Sequence, residues 1–140
     1  MWRIEVTKLD DLGELTTASC TGEVDRAVHT AATLVREYLN NLQRRDNAAN
    51  LALLSSSWKR SPESSRYLAF EEQLDMSAYG SNGRGGRCVD IDASESNAVH
   101  LSTHDCFIER GHEFVILRFT VVPKRTTNGY EIAAIEPEEW

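Results

Sequence analysis

From Glu23 onward, Val24, Val28, Ala31, Val35, Tyr38, Leu39 and Leu42 recur at three-and-four spacing, while Arg26, Arg36, Glu37 and Arg44 fall elsewhere. This pattern predicts a long amphipathic helix with one apolar face. Thr21 is placed to cap it, and Glu23 and Asp25 bring negative charge to its start, where the helix dipole favours it. Asp46-Asn47 breaks the pattern and offers a fresh cap, after which Ala48, Leu51, Ala52, Leu54 and Trp58 predict a shorter second helix. Ser61-Pro62-Glu63 reads as an N-cap followed by proline at the first helical position, where its missing N–H would have had no partner. A third helix follows, with Tyr67, Phe70, Leu74 and Ala78 on one side and a stop by Gly80.

Beyond Gly80 the period changes to two, and the last third of the chain reads as an antiparallel meander. Strands are expected at Cys88–Asp92, Asn97–Ile108, His112–Val122 and Tyr130–Glu136, the last two separated by a turn marked by Asn128-Gly129. A three-residue loop, Glu109-Arg110-Gly111, pairs Ile108 with His112, Asp105 with Val115, Thr103 with Leu117, Leu101 with Phe119, and Val99 with Val121. That register gathers Val99, Leu101, Phe107, Val115, Leu117, Phe119 and Val121 on one face. A two-residue Arg110-Gly111 turn would mix the faces. The other face carries His100, Ser102, His104, Cys106 and Ile108 beside Phe114, Ile116, Arg118 and Thr120. In the final strand, Tyr130, Ile132 and Ala134 share a side, and Pro137 ends the ladder.

Residues 1–22 form an appendage in which Trp2, Ile4 and Val6 alternate and Leu15 to Cys20 could return as the second strand of a hairpin. Residues 23–140 make a single α+β domain, with N-terminal helices packed on a curved antiparallel sheet.

At 140 residues, 41% hydrophobic and 26% charged, the chain is large enough for one core and ordinary for a globular protein. No apolar run approaches the ~20 residues of a membrane-spanning helix. The start lacks the apolar stretch of a secretory leader, which makes a cytoplasmic location the default expectation. Three cysteines, Cys20, Cys88 and Cys106, without CxxC-type spacing fit reduced thiols better than a disulfide framework or a zinc site. The formal charge of −7 disfavours nucleic-acid binding and suits either solubility or a basic partner. Gly80 to Arg87 is a glycine-rich connector that runs from helix to strand, the reverse of a phosphate-binding loop, and it contains no lysine.

Candidate chemistry concentrates in the meander. Asp105 and Thr103 are the polar residues on the apolar face, and a carboxylate there must be paired, solvated in a cavity or kept protonated. Asp105 is therefore the candidate catalytic acid or base. His100 and His104 have a metal-ligand spacing on a helix, but on a strand they stand ~13 Å apart, so no metal is expected. His104 and Cys106 are neighbours on one face, yet nothing supplies an oxyanion hole. His100, His104, Phe114, Ile116 and Arg118 on the half-apolar face suit a homodimer interface.

The long helix ending Val35-Arg-Glu-Tyr-Leu-Asn-Asn-Leu, the Arg45-Asp46 break, the Ala/Leu second helix and the terminal Asn128-Gly-Tyr-Glu-Ile-Ala-Ala-Ile together resemble the nuclear transport factor two-like superfamily over roughly residues 24–137. The resemblance implies a cystatin-like, cone-shaped sheet wrapped around helices, with an interior pocket. The candidate pocket residues in this chain are Tyr38, Trp58, Tyr67, Thr103, Asp105 and Phe119. Its members include ketosteroid isomerases, polyketide cyclases, dehydratases and epoxide hydrolases beside noncatalytic binding domains, and fold does not choose among them. Where the enzymes commonly carry a catalytic acid after the second helix, this chain has Ser55-Ser56-Ser57-Trp58-Lys59-Arg60-Ser61. The expectation is accordingly a noncatalytic homodimeric binding module with a pocket for a small apolar ligand and no cofactor. The alternatives are a small-molecule enzyme of the isomerase, cyclase or dehydratase type using Asp105 for proton transfer, and an acidic inhibitor or immunity-type protein.

Overall fold

A 22-residue helix, α1 (Gly22–Gln43), lies across one face of an antiparallel sheet and buries Val28, Ala31, Ala32, Val35, Tyr38, Leu39 and Leu42 against it. The computed structural model describes residues 3–4, 22–81, 88–95, 97–104 and 106–138. Helix α1 ends in a Schellman motif: Arg45 takes a left-handed φ of 58°, its N–H donates to the Leu42 carbonyl, and the Asp46 N–H donates to Asn41. An arginine in this position costs about 1 kcal/mol relative to glycine. It also gains a contact, because its guanidinium donates to the Leu74 carbonyl at 2.8 Å.

The expected second helix is two short ones, α2 (Asn47–Leu51) and α3 (Ser56–Arg60). Asp46 caps α2 and Ser55 caps α3, each accepting a backbone N–H through its side chain. The break falls at Leu54 because residues 53–55 pair with the sheet: the Ile132 N–H donates to Leu53 and the Ser55 N–H donates to Ile132. A tertiary ladder thus overrides a helical pattern. Helix α4 (Pro62–Glu71) starts as expected, with Ser61 as cap and Pro62 in the first turn, but it stops at Glu71 and not near Gly80. Residues 72–81 form turns in which Asp75 bridges Glu109.

The sheet holds five strands in the order β1-β2-β3-β6-β7: β1 (Arg3–Ile4), β2 (Asp90–Glu95), β3 (Ala98–Ser102), β6 (Leu117–Pro123) and β7 (Tyr130–Pro137). Strands β4 (Ile108–Arg110) and β5 (Glu113–Val115) form a separate two-stranded ribbon. Strand β1 adds to the free edge of β2, Arg3 opposite Glu95, so this part of the appendage extends the sheet. The expected return strand at Leu15 to Cys20 and the Thr21 cap lie outside the described residues.

The expected register of β3 against β6 is the observed one, with Val99 opposite Val121 and Leu101 opposite Phe119. Thr103 extends it by exchanging bonds with Leu117. Beyond Thr103 the expectation fails. Ile108 pairs with Val115 and not His112, an offset of three residues (115 less 112), and the ribbon turns through two residues, Gly111 and His112. Positive φ at Gly111 (64°) and not at His112 is the signature of a type II′ hairpin. An odd offset inverts the faces of the first strand. Cys106 and Ile108, expected on the outer face, are fully buried, while Phe107, expected in the core, is partly exposed and stacks on Phe114 at 5.3 Å between ring centroids. The inversion is made locally by a left-handed φ of 59° at Phe107.

Cys106 is joined to Cys88 in a disulfide, with both residues fully buried and their Cα atoms 5.0 Å apart. This corrects the expectation of reduced thiols. Sequence spacing contains no hint of the pair because their approach depends on the departure from the ladder after Thr103. The final strand is also adjusted, by a bulge at Ala133, which is left unpaired opposite Thr120 and Val121. Ile132 and Ile135 consequently both face the core, where simple alternation would place Ile132 and Ala134.

Candidate functional site

Tyr67 and Glu71 stand one helical turn apart on α4, and so share a face. That face meets α1 at Tyr38, whose hydroxyl donates to Glu71 Oε2 at 2.5 Å. All three side chains are buried. The Tyr67 hydroxyl lies within electrostatic reach of both Glu71 and Tyr38 without forming a well-aligned hydrogen bond to either. Behind Tyr38 the core closes with Phe119, whose ring meets it edge-on at 5.6 Å.

Burial dominates the proton equilibria of this cluster. It pushes Glu71 above the ordinary carboxylate value of 4.5, with the hydrogen bond from Tyr38, the nearby Tyr67 hydroxyl and the charge of Arg45 pulling part of the way back. Both tyrosines are held well above the ordinary phenol range, by burial first and the neighbouring acid second for Tyr38, and by burial and its two neighbours for Tyr67. The phenols therefore remain protonated donors, and Glu71 takes up its proton at a higher pH than an exposed glutamate does.

Tyr38 and Glu71 form part of the wall of a cavity of about 250 Å³ between α1, α2 and α4, together with Arg45, Asn50, Leu54 and Leu68. Asn50 is fixed in that wall: its amide donates to the Tyr38 carbonyl at 3.2 Å and accepts from Asn41 at 3.1 Å. Leu51 and Leu68, also lining the cavity, are 50% and 45% exposed, two of the three exposed large apolar side chains among the described residues. Exposed apolar side chains and a protonatable carboxyl thus meet in one cavity wall, a combination that can take up an apolar molecule with one polar group.

The expected pocket residues are distributed differently. Tyr38 lines the cavity, while Tyr67 is buried and is not part of its wall. Phe119 supports Tyr38 from the core, and Trp58 is buried in α3. Thr103 is committed to β6 through both its N–H and its Oγ1. Asp105 lies outside the described residues. Glu71, the acid that occupies the site, is missed by an apolar-stripe reading that counts Tyr67, Phe70 and Leu74. The same spacing, four from Tyr67 and three before Leu74, places it on the buried stripe, and that was the available signal.

Of the residues expected at an interface, His100 is partly buried beside Thr120 Oγ1 at 3.3 Å, His104 is exposed, and Arg118 pairs with Glu138 at 3.3 Å. Phe114, 66% exposed, and Ile116 line a second hollow, of about 350 Å³, beside Phe70 and Arg110. The Arg110 guanidinium sits 4.7 Å over the Phe70 ring and holds the ribbon against α4. Among the described residues, no three His, Cys, Asp or Glu side chains are grouped to hold a metal, and no helix is long and apolar enough to cross a membrane.

Compared with family models, curated proteins and solved structures, the chain matches none.

Proposed function

We propose that this protein binds a compact, mostly apolar molecule carrying a hydrogen-bonding oxygen or nitrogen, in the cavity between α1, α2 and α4. The observation that supports this reading is the Tyr38–Glu71 hydrogen bond in the wall of a cavity that Leu51 and Leu68 leave partly open. A volume of about 250 Å³ lies just below the usual range for drug-sized ligands and suits a fragment-sized one. A cone of the nuclear transport factor two-like kind is the finer reading of the fold, supported by α1 spanning β2, β3, β6 and β7 with Tyr38 packed on Phe119. A cytoplasmic location draws no support from the thiols, because a disulfide belongs more naturally to an oxidising compartment. Ligand-observed NMR with neutral fragment-sized ketones and amides should yield saturable binders that Leu68→Arg, a substitution of an exposed side chain, displaces. Hits that bind Leu68→Arg as well as the parent protein, or an absence of hits, would reject the pocket.

A second reading, proton transfer by Glu71 in place of Asp105, is favoured specifically by the upward shift of that carboxyl. Its premise can be tested without a substrate. With the folded value above the unfolded one, the native state holds a proton that the unfolded chain has released, so stability falls as pH rises from about 4.5 through the folded value. Glu71→Gln cannot ionise and escapes this loss. Urea midpoints should therefore separate in favour of the variant as pH rises across that window. A pH-independent gap would mean that Glu71 titrates as an ordinary carboxylate.

A further inference from the structure

The cavity of about 490 Å³ between the start of α3 and the β6–β7 turn has a charge opposite to that of the chain. Three of the protein's 15 basic residues line it, Arg60, Lys124 and Arg125, against one of its 22 acidic residues, Glu131. The two elements that supply the cations are held in place independently of them. Helix α3 is pinned by the Ser55 cap and by the pairing of residues 53–55 with Ile132, which fixes where Ser56, Ser57 and Arg60 emerge. The β6–β7 turn is closed by the Lys124 N–H donating to Gly129 at 3.0 Å, with Gly129 at φ 119°, and this presents Lys124, Arg125 and Thr126 from the opposite wall.

Among the described residues none of the three cationic side chains has an ion-pair partner, although acidic residues outnumber basic ones over the whole chain. Ser56, Ser57 and Thr126 are exposed and contribute hydroxyls to the same lining. Guanidinium groups with neighbouring hydroxyls suit a tetrahedral oxyanion, which accepts two parallel bonds from arginine. Val122, Pro123 and Ala133 add an apolar wall, more than a bare inorganic ion would use.

We propose that this cleft binds a phosphate monoester, with Arg60, Lys124 and Arg125 around the phosphate and the ester body against Val122 and Pro123. The site is separate from the Tyr38–Glu71 cavity and does not depend on it. Phenyl phosphate titrated into the ¹⁵N-labelled protein at low salt should shift the amides of Ser56, Ser57, Lys124 and Thr126 saturably, and more tightly than inorganic phosphate does. Affinity should drop about tenfold in Arg60→Gln and in Arg125→Gln, the loss expected for one charged hydrogen-bonding partner, and should fall again at physiological salt. Arg118→Gln, outside the cleft, should bind like the parent chain. Saturation not reached by about 10 mM would overturn the proposal. So would equal binding by both Gln variants, or inorganic phosphate binding as tightly as the ester. Should one variant fail to fold, the other and the parent protein's shift map still decide the question.

Discussion

Phe119→Ala should cost about 3–5 kcal/mol of folding stability, the largest single-residue loss expected in this protein. Phe119 sits on β6, flanked by Leu101 of β3 and Ile135 of β7, and all three are buried. Its ring also carries the edge-on contact to Tyr38, so truncation opens a void between sheet and α1 that few neighbours can collapse to fill. Set against a usual domain stability of about 5–15 kcal/mol, such a loss removes about a fifth of it at the least and nearly all of it at the most. Urea denaturation should show the midpoint falling with an unchanged slope. A loss under about 1 kcal/mol would mean that the sheet does not pack on α1 through this residue.

Removing the disulfide by Cys88→Ser together with Cys106→Ser should cost about 3 kcal/mol, the entropic value for a loop of this size. The sequence separation is 18 residues, and the loop it closes contains the whole β2–β3 hairpin. Because both cysteines are fully buried, the native protein should resist mild reductant and lose the bond only on unfolding. Thiol titration in denaturant should find one free thiol without reductant, from Cys20, and three with it. Three free thiols in the unreduced protein would refute the bond, and a stability change near zero in the double variant would refute its contribution.

Long, periodic elements were legible in the sequence. The α1 stripe, the Asp46 and Ser61 caps, the proline at the start of α4 and the β3–β6 register all follow from local rules, because each involves either neighbours on one helix face or the matching of two strands across an apolar surface. What escaped depends on contacts between distant segments. The division of α2 from α3 is imposed by Ile132, nearly 80 residues along the chain. The inversion at Phe107 is coupled to Cys88, and alternation alone carries no information about a strand that leaves its sheet and re-pairs three residues out of step. The pocket was half legible. Tyr38 and Tyr67 stand out as polar-tipped residues on apolar stripes, while Glu71 is easily passed over because a charged residue is normally assigned to the solvent side of a helix.

The pairing of residues 53–55 with Ile132 also has a consequence for association. Strand β7 forms one edge of the sheet, and such edges invite strands from other molecules. Near its start, the Ile132 N–H and carbonyl are already engaged by the chain's own Leu53 and Ser55, and at its end Pro137 has no N–H to offer. An incoming strand therefore meets no run of free donors and acceptors along the full length of β7. The same few residues that cut one helix in two also shorten the run of β7 that is open to another strand, which works against sheet growth from this edge.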